Sequence, residues 1–117
     1  MDNISINISE EKGITLLSVR GIIDTNTVSE FEEKFLSALD EKKFKLVVDL
    51  KDVDYISSAG WGIFVSEIKR IRSLKGDLVL CGMIPEVADI FDLLNFTVIF
   101  KSFPDAQTAL KDGFKKF

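Results

Sequence analysis

The stretch FKLVVDL, residues 44–50, is nearly continuous in apolar residues, with the β-branched pair Val47 and Val48 at its centre. A half-exposed strand alternates apolar and polar positions. A run without that alternation suits a central strand covered on both faces. Such a strand requires further structure on each side of its sheet, and the flanking segments must supply it.

NISINIS, residues 3–9, puts Ile4, Ile6 and Ile8 on one face, the pattern of a half-buried strand. EEKG reads as a turn and Ile14–Arg20 as a second strand, together an antiparallel hairpin. Gly21 and Asp24 lead into a helix. There Thr27 and Glu30 fit the capping box S/T-x-x-E, with Asp24 as an alternative cap one turn earlier. Val28, Phe31, Phe35 and Leu39 then recur at helical spacing to about Lys42. Beyond the central strand, Trp61, Phe64, Ile68 and Ile71 form the stripe of a second helix ending near Leu74, and Lys75-Gly76-Asp77 turns into a strand at 78–83. Pro85 suits a first helical position, Val87, Ile90 and Leu94 mark a short helix, and Asn95 is its stop. TVIF, residues 97–100, reads as the last strand, and Pro104 opens a final helix with Ala106, Ala109, Leu110 and Gly113 inward.

The order ββαβαβαβα over one domain, residues 1–117, predicts an α/β fold. Its mixed sheet has an N-terminal antiparallel hairpin, central parallel strands joined by right-handed crossovers, and about four helices. In such sheets function collects at the carboxyl ends of the strands.

Composition removes several function classes. The net charge of −4 and the dispersal of basic residues among acids exclude a nucleic-acid face. The local basic groups, Lys69-Arg70-Arg72 and Lys115-Lys116, read as solvated surface. With no histidine, Ser-His-Asp and Cys-His catalysis are unavailable, and the single Cys81, in the apolar run LVLCGM, reads as a buried hydrophobe. Neither a structural zinc site nor a disulfide is expected. MDNISINISEEKG lacks the charged and apolar regions of a signal peptide, and no apolar run reaches the ~18 residues of a membrane span, so a cytoplasmic protein is expected.

The segment YISSAGWGIF, residues 55–64, combines two serines and two glycines at the end of the central strand. Structurally, Ser57 or Ser58 can cap the second helix, and Gly60 and Gly62 would let its first turn approach neighbouring backbone. As a nucleophile elbow the segment fails, because Ile56 stands where G-x-S-x-G needs its first glycine. As a dinucleotide loop it fails at Val65, the third glycine position of G-x-G-x-x-G. A third use is a phosphorylated serine. A phosphate at a helix N-terminus meets unbonded N–H groups and the positive end of the dipole, while changing the charge of a docking surface.

Three segments, VRGIIDTNTVSEF (19–31), LVVDLKDVDYISSAGWGIF (46–64) and LVLCGMIPEVADIFDLL (78–94), resemble the STAS-domain anti-sigma factor antagonists over essentially the whole chain. The middle segment is similar to the family signature: a buried strand, a D-L-x-x-V turn, then a serine two residues before a glycine that opens a helix. The resemblance implies a STAS-like fold and a regulatory protein rather than an enzyme. The unphosphorylated form would bind an anti-sigma factor with serine-kinase activity and so free a sigma factor. The kinase would phosphorylate Ser58, with Ser57 as second choice, and a PP2C-type phosphatase would reset the switch. ATP and magnesium belong to the kinase, so no cofactor is expected here. The partner surface implied is Asp24, Thr25, Asn26, Ser57, Ser58, Gly60 and Trp61. The chain departs from many members at Ser57, where they have aspartate, at Ala59, often a second serine, and at Trp61, usually leucine. Trp61 is either the first core residue of its helix or an exposed anchor. The alternative function is a STAS module without the switch, binding a protein or small ligand in another regulatory complex.

Overall fold

Lys12 and Gly13 both take positive φ, 54° and 79°, the conformation that lets a two-residue turn follow the twist of its strands. They join β1 (Ile4–Glu11) to β2 (Ile14–Ile23) in an antiparallel hairpin. Glu10 and Glu11 therefore belong to the strand, not the turn. The structure is a computed structural model and describes residues 4–115. The expected strand start at Asn3 and the second lysine of Lys115-Lys116 lie outside those residues.

The remaining elements are α1 (Val28–Asp40), β3 (Lys45–Ile56), α2 (Ser58–Ser73), β4 (Asp77–Cys81), α3 (Pro85–Leu93), a 3₁₀ turn (Phe96–Val98), β5 (Lys101–Phe103) and α4 (Ala106–Asp112). The sheet order is β1-β2-β3-β4-β5, with β2 to β5 parallel. FKLVVDL is the central strand, as its pattern requires. Leu46, Val48 and Leu50 face a core shared with Phe31, Phe35, Phe64, Ile71 and Phe91 from α1, α2 and α3. Val47 faces a smaller cluster with Val79, Cys81 and Ala109 beneath α4. Period-two alternation thus sends successive apolar residues into two different cores.

β3 is longer than the sequence suggests. β2 continues alongside it to the pair Ile23↔Ile56, across register shifts at Ser18/Arg20 and Gly21/Ile22, so the expected D-L-x-x-V turn is extended strand. β4 pairs with β3 only from Lys45 to Asp49. The later part of β3 has a strand neighbour on its β2 side alone among the described residues.

Three further expectations are corrected. TVIF is not a strand: Phe100 N–H donates to Phe96 O at 2.9 Å, a helical turn. That turn holds both rings in an aromatic cluster, with Phe96 5.3 Å from Trp61 and 6.0 Å from Phe100. Aromatic burial outweighs the β-branched composition, and the strand forms afterwards. In α3 the buried residues are Val87 and Phe91, while Ile90 and Leu94 are exposed. The stripe follows the larger ring. Finally, Thr27 occupies the N-cap position of α1 but forms no side-chain cap bond. Its hydroxyl donates to Ile22 O at 2.6 Å and accepts from Asp24 N–H at 2.9 Å, fixing the loop behind it. The capping box with Glu30 does not form.

Candidate functional site

The pair Ile23↔Ile56 ends two adjacent parallel strands, so the loop starting at Asp24 and the helix start at Ser57 leave the sheet side by side. Ser57 N–H donates to Ile23 O at 2.8 Å and locks the two departures together. On the first, Asp24 Oδ1 accepts from the N–H groups of Asn26 at 2.9 Å and Thr27 at 3.1 Å. This turn, typical of aspartate, exposes Thr25 and Asn26 at its crest.

On the second, the two serines divide. Ser57 is the N-cap of α2 and is buried. Its backbone is extended and its Oγ accepts from Gly60 N–H at 3.3 Å. Ser58 is the first helical residue and is exposed. The N–H groups of Ser58 and Ala59 stand at helix positions that have no intrahelical acceptor, and no acidic residue occupies the first turn. A phosphate on Ser58 would meet a favourable dipole and a clear approach.

Gly60 and Gly62 differ in the same way. A Cβ at Gly60 would lie 2.7 Å from Ile23 Cγ2, whereas one at Gly62 would meet nothing within 4 Å. The close approach is to side-chain methyls, not backbone, and Gly62 takes no part in it. Trp61 is buried, at 3% exposure, with its ring 5.9 Å from Phe91 and 6.0 Å from Phe64. It is core, and its edge reaches only a small cleft lined with Tyr55, Ile56, Val87 and Ile90. Of the seven residues expected at the partner surface, Thr25, Asn26 and Ser58 are exposed beside the joined ends of β2 and β3, Asp24 is half-buried, and Ser57, Gly60 and Trp61 are buried. Tyr55, 53% exposed beside the same cleft, was not anticipated. Its signal was an aromatic residue one position before the buried Ile56, and so on the opposite face of the strand from it.

Cys81 is fully buried, as expected, and burial pushes its thiol up to about 12. No described helix is long and apolar enough to cross a membrane.

A family model described as the STAS domain matches residues 5–109. The chain belongs to the STAS domain family. This STAS domain is 30% identical to the anti-sigma-B factor antagonist of Bacillus subtilis over 91 residues, 78% of this chain and 83% of that protein. Among solved structures, an anti-sigma factor antagonist from Mycobacterium paratuberculosis superposes with a TM-score of 0.87 at 23% identity, covering 94% and 93% of the two chains. SpoIIAA of Bacillus, at 12% identity, superposes in its unphosphorylated form with a TM-score of 0.75 and in its phosphorylated form with 0.69. Those alignments cover 96% and 95% of this chain and all of SpoIIAA. At these identities the structural matches establish the fold, which is the one the STAS resemblance implies.

Proposed function

We propose that this STAS domain is an anti-sigma factor antagonist, switched by phosphorylation of Ser58. Unphosphorylated, it binds an anti-sigma factor that is also a serine kinase, across Ser58 and the Asp24–Asn26 crest, and a sigma factor is released. Phosphate on Ser58 adds about −1.5 to −2 charges to that surface and ends the interaction. A PP2C-type phosphatase restores it. The anti-sigma role is supported by the 30%-identical relative of that name, and the occurrence of SpoIIAA in unphosphorylated and phosphorylated forms fits a phosphorylation switch.

One observation carries the choice of residue. Ser57 has its hydroxyl engaged in the cap and is buried, while the neighbouring Ser58 is exposed at the first helical position. Mass spectrometry after incubation with the cognate kinase, ATP and magnesium is expected to find phosphate on Ser58. Ser58→Ala should bind the kinase and accept none, and Ser57→Ala should still accept it. Phosphate on Ser57, or binding without any transfer, would overturn the assignment, the latter in favour of a STAS module without the switch.

A further inference from the structure

With Val87 and Phe91 turned to the core, α3 presents a second apolar face outward. Ile90, Leu93 and Leu94 follow i, i+3, i+4 spacing and are 41%, 78% and 48% exposed, and Val98 in the following turn is 75% exposed. A single exposed leucine needs no explanation. Four large apolar side chains within residues 90–98 make a patch, the kind of surface that marks an interaction site. Exposed Tyr55 and the cleft it shares with Ile90 carry the patch to the end of β3.

The charged residues of α3 itself have one sign, and a nearby cation, Arg72, bonds Ile99 O beyond the patch and is paired with Asp77. Glu86 precedes Ile90 by one helical turn, Asp89 precedes Leu93 by one, and both are exposed, as is Asp92. No lysine or arginine occurs between Asp77 and Lys101. Ion pairs form elsewhere, such as Glu67 with Arg70, but none among the described residues involves Glu86, Asp89 or Asp92.

We propose that the α3 face docks a basic amphipathic helix of a partner protein. The apolar side of that helix would cover Ile90, Leu93, Leu94 and Val98, and its lysines and arginines would lie over Glu86, Asp89 and Asp92. Helix-on-groove recognition uses anchors at this spacing, and opposite charge steers association and fixes register. A second copy of this chain fits worse, because a twofold contact would set like carboxylates against each other. An anionic membrane meets the same repulsion. At Ile90 the α3 face reaches the end of β3 near Ser58, yet the proposal does not depend on phosphorylation there.

The test is a titration of the ¹⁵N-labelled full chain with a Leu/Lys peptide of about 18 residues, long enough to hold a helix with its leucines on one side. A peptide of the same composition in scrambled order is the control. Amide shifts confined to residues 86–98 and Tyr55 are expected, with the scrambled peptide at least about tenfold weaker and binding reduced as salt rises from about 50 to about 500 mM. The double variant Leu93→Glu/Val98→Glu should fold, by circular dichroism, and lose the peptide. Leu74→Glu, at another exposed leucine, should keep it. Shifts elsewhere, or equal binding of the scrambled peptide, would overturn the proposal. So would a dimer, or adhesion to anionic vesicles, that Leu93→Glu/Val98→Glu abolishes.

Discussion

Gly60 sits against Ile23 with no room for a side chain: a Cβ would stand 2.7 Å from the Cγ2 of Ile23 and 2.8 Å from that of Ile56. This contact binds the start of α2 to the ends of both neighbouring strands. Alanine in a helix is normally about 1 kcal/mol better than glycine, but forcing a methyl group into a filled core costs about 1–3 kcal/mol. Gly60→Ala should therefore destabilise by up to about 2 kcal/mol and Gly60→Val by more. Gly62→Ala, with open space around it, should stabilise by about 0.5–1 kcal/mol. Opposite shifts of the urea midpoint in the two alanine variants are the expected result. Equal shifts would show that the Ile23 contact does not govern.

Ser57 and Ser58 should also separate in stability, without any kinase. Ser57→Ala removes a cap acceptor and should cost about 0.5–1 kcal/mol. Ser58→Ala, at an exposed first position, should change little. Ser58→Asp should be neutral or gain about 0.3–1 kcal/mol from the helix dipole, an advantage that salt reduces. Thermal melts at low and high ionic strength check all three.

Trp61 belongs to the core, so Trp61→Ala should cost about 3–5 kcal/mol. Its Nε1–H is buried without a hydrogen-bond partner among the described residues. Trp61→Phe loses no such bond and should cost clearly less, about 1–2 kcal/mol. Chemical denaturation of the two variants distinguishes ring packing from a polar role. An equal loss in both would point to the indole N–H.

Burial, reinforced by the negative charge of Asp49, raises the Cys81 thiol from 9.0 to about 12. Below the unfolded value the thiol is protonated in both states and contributes no pH dependence. Above it the unfolded chain releases a proton that the native chain retains, so stability falls as pH rises between about 9 and about 12. Cys81→Ala should flatten that alkaline decline. In the parent, alkylation by iodoacetamide at neutral pH should occur only as the protein unfolds. Rapid native-state labelling would contradict the buried thiol.

The strands and helices that carry strong patterns could be read from the chain. FKLVVDL is central because it has no polar face to offer solvent, and Phe31, Phe35, Phe64 and Ile71 are inward as their spacing requires. The site was legible at Ser57 and Ser58 as a pair, since serine before an apolar stripe is a cap signal. Which serine caps was not, because that depends on the Ser57 N–H bond to Ile23, thirty-four residues away in sequence. TVIF was misread for a similar reason: its local preference is for strand, but Phe96 and Phe100 are claimed by Trp61, Phe91 and Phe64. Thr27 has the composition of a cap, yet its hydroxyl is taken by the carbonyl of Ile22. In each case a partner distant in the chain, or a competing acceptor, outbid the local rule.

The run of β3 beyond Asp49, its last residue with a β4 partner, carries the exposed Ser58 past the paired rows of the sheet. Along its strand edges this run is paired on the β2 side, where register shifts fall at Ser18/Arg20 and Gly21/Ile22, while Val53 and Ile56 anchor it in the core beneath. A group added at Ser58 would meet this margin and not the paired rows at Leu46–Asp49. Under the proposed switch the body would act as a fixed handle: the identity of the surface would change at its rim while the mass that carries it stays still.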